Sequence, residues 1–600
     1  MPNPQDISLR QATAADWPAI AGLLQANKLP LDGARAHLSN YVLALANGEI
    51  VGSAGAELYG DVALLRSVAV APGLQQRGIG RSLVTLLIDE ARRRGLRSMH
   101  LLSVTAPEYF AQFGFRRGPR ELAPPALLAS AEFQGACPAC AAFMTLTLIE
   151  PATEHPGLPV AVLGAGPVGL AAAARLLERG LTPLVLEAGA TVGASLVDYG
   201  HVRLFSPWRY DVDHAMAAML ARSGWTEPDP EELPLARDIV DRVLVPFSRL
   251  PGIGSHLHLN TRVRSISREG FDKVKTGDRD KAPFIIRALQ AGEPVQFKAR
   301  AVIDATGTWG TPNPLGANGL PALGEAEARE SIFYGIPDVL GAHRGRYAGR
   351  KTLVVGAGHS AANALLSLAE LAQTAPDTQL AWSVRSPALQ RVFGGGQADA
   401  LPARGRLGSQ LRALRDRGAL EFVAGLRIET LHREADGTLS VTGLDANGEA
   451  RTLAGIDEII CATGQRPDLA ITSELRLRLD PSLESTEALG PLIDPNVHSC
   501  GTVRPHGHRE LSHPEPSFYT VGVKSYGRAP TFLMATGFEQ VRSVVAAIAG
   551  DLMAADRVEL ELPETGVCGI PAQATAAGAG GCCDTKPPAQ ADAPRARCCG

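Results

Sequence analysis

The sequence predicts an α/β chain of three folded units followed by a tail without regular structure. Three observations carry that expectation. VAVLGAGPVGLAAAARLL (160–177) and TLVVGAGHSAANALLSL (352–368) each read as an apolar strand, a glycine turn and an Ala/Leu-rich helix. ARAVIDATGTWGTPNP (299–314) and DEIICATGQRPDL (457–469) each run from an apolar strand into Ala-Thr-Gly. Within 41–104, apolar runs broken by Asn47-Gly48 and Tyr59-Gly60-Asp61 surround one helix-period stretch, Ile79 to Arg94, with Leu83, Leu86, Leu87 and Ala91 on one face. Such turn chemistry and periodicity mark strands joined to an amphipathic helix.

Bulk properties bound the function. At 600 residues the chain is long enough for about three to five domains. Hydrophobic residues are 45%, charged residues 20%, and the net charge is −4. That balance gives no electrostatic case for nucleic acid or an anionic membrane as partner. MPNPQDISLRQ holds no basic run leading into an apolar one, and no long uncharged apolar stretch follows, so the expected location is the cytoplasm. The expected partners are small molecules, and a homodimer is one assembly the sequence allows. The expected boundaries are 1–149 for the first unit, 150–158 for a Pro-rich linker, and 159–345 with 456–552 for a discontinuous second unit. A third unit is expected at 346–455 and an unstructured tail at 553–600.

In the first unit, VAVAPGLQQRGIGRSLV (68–84) ends a strand at Val70, turns at Pro72 and enters a helix through Gln75, Arg77, Gly78, Ile79, Gly80 and Arg81. A helix N-terminus offers unpaired N–H groups and a positive dipole end, and glycines let phosphates approach them. With Phe113-Gly114-Phe115 downstream, this resembles the acetyl-CoA loop of the GNAT acetyltransferases over nearly all of 7–148. The resemblance implies acetyl-CoA as cofactor, held along Val68, Val70 and 75–81. It also implies a tyrosine as general acid toward the thiolate. That position is Phe110 here, and Tyr109 stands one residue earlier. Glu57, on a neighbouring strand, is a candidate to position or deprotonate an amine, against a solvated strand carboxylate as the plainer reading. Cys137-Pro138-Ala139-Cys140 is similar to the end of small acetyltransferases from arsenic-resistance operons; packing cysteines are the expected role.

In the second unit, Gly164-x-Gly166-Pro167-Val168-Gly169 follows a strand and opens a helix, and Glu187 ends the next strand 23 residues after Gly164. Strand, glycine triplet, helix and terminal carboxylate are what a dinucleotide's pyrophosphate and ribose require, so the fold class is Rossmann-type. The third unit repeats the pattern at Gly356, Gly358, His359, Ser360 and Ala361, but its next strand ends at Arg385. A guanidinium suits a 2′-phosphate, which favours NADPH over NADH. The paired Ala-Thr-Gly segments, with Thr306-Gly307 and Thr463-Gly464, resemble those that return the chain between the FAD and nicotinamide domains of flavoproteins, implying FAD in the second unit.

Redox disulfide chemistry is excluded, because residues 187–460 contain no cysteine. Class B flavin monooxygenases carry F-x-G-x-x-x-H followed by x-x-x-Y; only His343 and Tyr347 match, with Pro337 and Val339 in place of Phe and Gly. LFSPWRYDVDHAMAAML (204–220) and the segment 499–543 are similar to flavin-dependent monooxygenases of arsenic-resistance operons, a resemblance spanning about 160–552. Tyr519 to Val523 is expected as a last strand. Lys524, Tyr526 and Arg528 are candidate substrate or nicotinamide contacts in a loop before the helix at Thr536-Gly537. The His506 and His508 loop reads as hydrogen-bonded or solvated. Finally, Cys582-Cys583 and Cys598-Cys599 stand on a Pro/Ala-rich strip, where soft thiolates suit a thiophilic metalloid. The expected whole is an NADPH/FAD oxidoreductase, most simply a monooxygenase on an arsenical, fused to an N-acetyltransferase for a small amine. An oxidase or reductase without oxygen insertion, and a metalloid-binding protein acting through its tail, are the alternatives.

Overall fold

The computed structural model describes residues 7–560 apart from 61, 76, 95, 97, 105, 121, 122, 139, 149–154, 387–392, 394–400, 499–502, 504 and 530–532. The four terminal cysteines, Cys568 and Cys500 lie outside the described residues.

The first unit is a seven-stranded sheet built from β1 (Ile7–Gln11), β2 (Tyr41–Ala46), β3 (Glu49–Tyr59), β4 (Val62–Val70), β5 (Ser98–Ser103), β6 (Arg116–Gly118) and β7 (Ala142–Thr147). Its order is β1-β2-β3-β4-β5-β7-β6. Asn47 and Gly48 make the β2–β3 turn with φ of 51° and 84°, the left-handed values that their residue types tolerate. Helix α1 (Trp17–Ala26) and helix α2 (Ile79–Arg93) cover the sheet. α2 buries Leu83, Val84, Leu87, Ile88 and Ala91, so its inward stripe is wider than the expected one and leaves Leu86 half-buried. β4 and β5 run parallel but pair only from Val62–Ser98 to Leu64–His100, although β4 continues to Val70. Beyond that point the two strands part and open a cleft.

The remainder holds two copies of one plan, a five-stranded parallel sheet with a three-stranded antiparallel sheet beside it. The strands are β8 (Val160–Leu163), β9 (Pro183–Leu186), β10 (Leu257–His258), β11 (Thr261–Arg268), β12 (Phe284–Gln290), β13 (Glu293–Ala299) and β14 (Ala301–Asp304). They continue as β15 (Ile332–Tyr334), β16 (Lys351–Val355), β17 (Gln379–Val384), β18 (Glu421–Ala424), β19 (Arg427–Arg433), β20 (Leu439–Leu444), β21 (Ala450–Ile456), β22 (Glu458–Cys461) and β23 (Phe518–Thr520). The parallel sheets have the orders β10-β9-β8-β14-β23 and β15-β22-β16-β17-β18. Their strands are largely buried because helices cover one face of each sheet and the three-stranded sheet packs on the other. Helix α3 (Pro167–Glu178) lies between the first sheet and helix α5 (Met534–Ile548); its Ala171–Ala174 run is fully buried and lets the two helices approach closely. Helix α4 (His359–Thr374) is its counterpart in the second.

Three boundaries differ from expectation. β15 and β22 were expected in the FAD-side unit, yet Ile459 and Ile460 pair with β15 on one side and β16 on the other. Ladder partners far apart in sequence leave no local signal. The expected strand at 519–523 stops at Thr520, because Gly522 takes φ +69° and its N–H goes to Gln540 Oε1 at 2.7 Å instead of a ladder. The expected tail begins later than 553: Leu552–Asp556 is helical, and Asp556 accepts from His508 and Arg509. Among the described residues no helix is long and apolar enough to cross a membrane.

Candidate functional site

The first candidate site lies where β4 leaves β5. The β3–β4 register shifts between Ser53–Ala69 and Gly55–Arg66, so Ser67 and Val68 bulge opposite Ala54, with Ser67 at φ +55°. A bulge bends its strand, which here turns β4 away from β5. Tyr41 Oη holds Ser67 Oγ at 2.8 Å, and Ser53 Oγ donates to Ser67 O at 3.2 Å. The chain then passes Gly73 and Gly78, at φ of 86° and 84°, into α2. Gln75, Arg77, Gly78 and Arg81 are exposed at this turn, Val68, Val70 and Gly80 are partly buried, and Ile79 anchors the helix in the core. A Cβ added to Gly80 would lie 2.8 Å from Tyr109 Oη. Tyr109 therefore reaches the cleft despite its displacement, held edge-on by Phe110 and Phe113, whereas Phe110 is 9% exposed and packs in the core.

Beside the cleft, Glu57 is neither solvated nor alone. It is 1% exposed and accepts from Tyr59 Oη at 2.6 Å and from Arg66 Nη1. Burial pushes its carboxyl up, but the Tyr59 and Arg66 bonds outweigh that and hold it below the usual range. Arg66 Nε also lies 3.4 Å from Glu132 Oε1, and burial raises Glu132 to about 7. Neither Arg66 nor Glu132 carried a sequence signal, since the pair is 66 residues apart and Glu132 sits in a segment without periodicity. Cys137 is half-buried and Cys140 exposed; both thiols are free, and burial pushes Cys137 up to about 11.

The first glycine cradle divides its labour among three positions. Gly164 has φ +93°, and a Cβ there would meet Ala305 O at 2.8 Å. A Cβ on Gly169 would meet Gly164 O at 2.0 Å, so only glycine lets α3 sit on the turn. At Gly166, the N-cap of α3, a Cβ meets nothing within 4 Å, and Pro167 and Val168 open the helix. That open space above a helix N-terminus fits a pyrophosphate. Glu187 accepts from Ala165 N at 2.6 Å and Gly189 N at 2.7 Å, which fixes its carboxylate beside the cradle. The second cradle repeats this: a Cβ on Gly356 would lie 2.2 Å from Ala462 O, Gly358 opens on empty space, and Ala361 packs at 1% exposure. His359 and Ser360 begin α4, and the His359 ring lies 5.1 Å from Phe205, which joins the two halves. Arg385 follows β17 directly, is exposed, and donates to Ala317 O at 3.0 Å.

The Ala-Thr-Gly segments form the connection between the halves. Asn313 N donates to Gly464 O at 2.9 Å, Thr463 Oγ1 to Asn313 O at 3.1 Å, and Arg466 N to Thr311 O at 3.0 Å. Asp304 shapes the first segment, accepting from Thr306 N and Oγ1 at 3.1 and 2.7 Å ahead of Gly307 at φ +70°. The expected contacts after β23 are placed otherwise. Lys524 is 2% exposed and bound to Asp304, and Tyr526 is 3% exposed against His506. Arg528 is exposed but forks onto Glu484 at 2.8 and 2.9 Å. None of the three is an open cation or hydroxyl in a loop, because the turn Gly522–Tyr526 folds inward over α5. Gln540, which the sequence did not single out, ties this turn together through Gly522 N, Ser525 Oγ and His506 Nε2. Among the described residues no His, Cys, Asp and Glu group could hold a metal ion.

Comparison with known proteins matches this geometry in two places. The acetyltransferase (GNAT) family matches residues 8–115, and the NAD(P)-binding Rossmann-like domain matches residues 162–226. Amino-acid acetyltransferases from two strains of Neisseria meningitidis are each 31% identical over 119 residues, which is 18% of this chain and 27% of theirs. The chain thus spans about a quarter of the length of these curated relatives. Among solved structures, a bacillithiol disulfide reductase from Bacillus cereus is 18% identical, covering 65% of this chain and 98% of its own, with a TM-score of 0.48. A cadaverine monooxygenase from Erwinia amylovora is 14% identical, covering 70% and 99%, with a TM-score of 0.47. A flavin-containing monooxygenase from Stenotrophomonas maltophilia is 21% identical, covering 65% and 98%, with a TM-score of 0.38. The chain joins an N-terminal GNAT acetyltransferase domain to a Rossmann-type unit with two dinucleotide cradles.

Proposed function

We propose that the chain is a bifunctional enzyme of arsenic resistance: an acetyl-CoA-dependent N-acetyltransferase for a small amine, fused to an NADPH/FAD oxidoreductase that oxygenates an arsenical or related small molecule. The observation that carries it is one chain holding an acyl-transfer cleft and two glycine cradles, each with its middle glycine facing open space.

In the first cradle, Gly166 and the N-terminus of α3 hold the pyrophosphate of FAD, and Glu187 orients the adenosine ribose. FAD when bound supplies the electron transfer from nicotinamide to acceptor. In the second, Gly358, His359 and Ser360 hold the pyrophosphate of NADPH, and Arg385 pairs with its 2′-phosphate. In the first unit, Gln75, Arg77, Gly78, Ile79, Gly80 and Arg81 hold the phosphates of acetyl-CoA and Tyr109 protonates the departing thiolate. The kinship with amino-acid acetyltransferases supports an amino-acid-like amine as acceptor. The absence of cysteine from 141 to 460 supports a substrate other than a disulfide. The arsenic reading rests on the likeness of 204–220 and 499–543 to arsenic-operon monooxygenases and on the four terminal cysteines.

The test is the flavin spectrum during NADPH addition, with and without trivalent arsenicals. Arsenical-dependent NADPH consumption with an oxygenated product supports the reading; peroxide release in step with NADPH and no oxygenated product removes the oxygenase half. A reductase or oxidase is the second reading, and one observation favours it. His343 Nδ1 is occupied by Asp338 N at 3.1 Å and Tyr347 is fully buried, so the half-matching monooxygenase fingerprint is used structurally.

A further inference from the structure

In the first unit two buried carboxylates, Glu57 and Glu132, share the single guanidinium of Arg66. Along β4, Ala63 and Leu65 pack into the core with Leu83 and Leu87 of α2, while Val62 and Leu64 face Leu127 and Phe133. Arg66 continues that second row and meets Glu132. It stands two residues past Leu64, the last β4 residue paired to β5, where β4 has left its partner strand. The loop after α1 closes the cluster from a third side: a Cβ on Gly33 would lie 3.3 Å from Arg66 Nη1 and 3.6 Å from Glu57 Oε1.

Arg66 is committed elsewhere. Its Nη1 donates to Glu57, its Nη2 to Pro30 O at 3.3 Å, and its Nε to Ser67 Oγ at 3.3 Å. Glu132 keeps only the off-axis approach to Arg66 Nε at 3.4 Å; its carboxylate accepts no hydrogen bond among the described residues, although the residue is 4% exposed. Two carboxylates thus share one guanidinium, and the surplus charge falls on Glu132. Burial, the largest influence, sets Glu132 near 7; Arg66 and Arg120 pull it down and Glu57 pushes it up. The other titratable neighbours are Cys137 on its own segment, Tyr41 on β2, Tyr59 on Glu57, and His37, whose Nε2 is 4.0 Å from Glu57 Oε2. A buried carboxyl that titrates near neutrality and lacks a donor suits a group that exchanges protons with a cationic substrate.

We propose that Glu132 is the base of the acetyl transfer, receiving the ammonium of a small primary amine and taking one proton from it beside the thioester. The assignment rests on the acetyltransferase reading above. One proton passes from R–NH3+ to the Glu132 carboxylate, leaving R–NH2. The nitrogen lone pair then forms the N–C bond to the acetyl carbon while the C–S bond breaks, its pair staying on sulfur. Tyr109 gives its proton to that sulfur and regains one by taking up the second proton lost from nitrogen, so acetyl-CoA and the amine become the acetamide and free CoA, and Glu132 returns its proton to water. Glu57, held ionised by Arg66 and Tyr59, is a positioning residue that keeps Arg66 off Glu132.

The test uses the full chain, acetyl-CoA and a panel of small primary amines, with CoA release followed against pH. The wild type is expected to lose kcat/KM for the amine on the acid side through an inflection near pH 7. Glu132→Gln is expected to lower kcat by about 10²- to 10⁴-fold and to erase that inflection, while Glu132→Asp retains it at reduced rate. Calorimetry of amine binding to the CoA-saturated chain, in two buffers of different ionisation enthalpy, reads the proton without turnover: release near pH 7 in the wild type and none in Glu132→Gln. Full rate with the inflection intact in Glu132→Gln overturns the assignment alone, as does loss of acetyl-CoA binding, which would make Glu132 structural. A wild type that binds acetyl-CoA but transfers to no amine overturns the acetyltransferase reading, and the assignment with it.

Discussion

Lys524 Nζ lies 2.7 Å from Asp304 Oδ2, with the two side chains 1% and 0% exposed. The pair joins the turn after β23 to the end of β14, and Lys524 also donates to Thr306 Oγ1 at 3.0 Å. A residue expected to greet the substrate is thus the counterion of the carboxylate that shapes the Thr306-Gly307 loop. Removing one member of a buried pair strands the other charge and costs about 3–5 kcal/mol. Lys524→Met is expected to lower the thermal midpoint of the flavoprotein unit by that measure. Unchanged melting with lost turnover would return Lys524 to the substrate.

Two of the three glycines of the first cradle separate folding from binding. Gly169→Ala places a Cβ 2.0 Å from Gly164 O and is expected to yield insoluble or molten protein. Gly166→Ala meets no protein atom within 4 Å but enters the space for the pyrophosphate. Charged hydrogen bonds are worth about 1.5–3 kcal/mol, so FAD affinity should fall roughly 10- to 100-fold with the fold intact. Flavin fluorescence titration and circular dichroism on both variants decide it.

Arg385 is the basis for preferring NADPH. Arg385→Ala is expected to reduce kcat/KM for NADPH by about 10- to 100-fold and leave NADH unchanged. Equal losses with both nucleotides would assign Arg385 to its bond with Ala317 instead.

For the acetyltransferase, Tyr109→Phe is expected to slow CoA release by about 10²-fold while acetyl-CoA still binds. Adding Phe110→Tyr to that variant should not restore the rate, because position 110 packs into the core. Rescue would show that the hydroxyl is delivered from position 110.

His100 makes the first unit acid-sensitive. Its ring is 2% exposed, stacked on Phe143, with Ser98 Oγ at 2.7 Å and Thr145 Oγ1 at 3.0 Å. Burial lowers it from 6.5 to about 3. Between those values the unfolded chain binds a proton that the folded one does not, so stability is full above pH 6.5 and falls as pH drops toward 3. One such proton is about 1.4 kcal/mol per pH unit. Denaturant melts between pH 7 and 5 should show that slope in the wild type and a shallower one in His100→Gln.

The glycine turns were legible because they are local. Gly164, Gly166 and Gly169, or Gly78 and Gly80, lie within a few residues of a strand end, where backbone freedom and helix polarity depend on near neighbours. The hairpins at Asn47-Gly48 and Gly60, and the inward face of α2, follow from the same short-range rules. The place of Tyr109 follows from a short stretch too, its hydroxyl lying against Gly80.

What the tertiary structure alone decided is which charges meet. Asp304 and Lys524 are 220 residues apart, Arg66 and Glu132 are 66 apart, and β15 joins β22 across 123 intervening positions. Each is a pairing made in a low-dielectric interior, where a charge or a ladder edge must find a partner but the sequence does not say which. Local backbone geometry is encoded where it occurs. The partner of a buried charge is set by packing, which here pairs Lys524 with Asp304 and leaves Glu132 the 3.4 Å approach of Arg66.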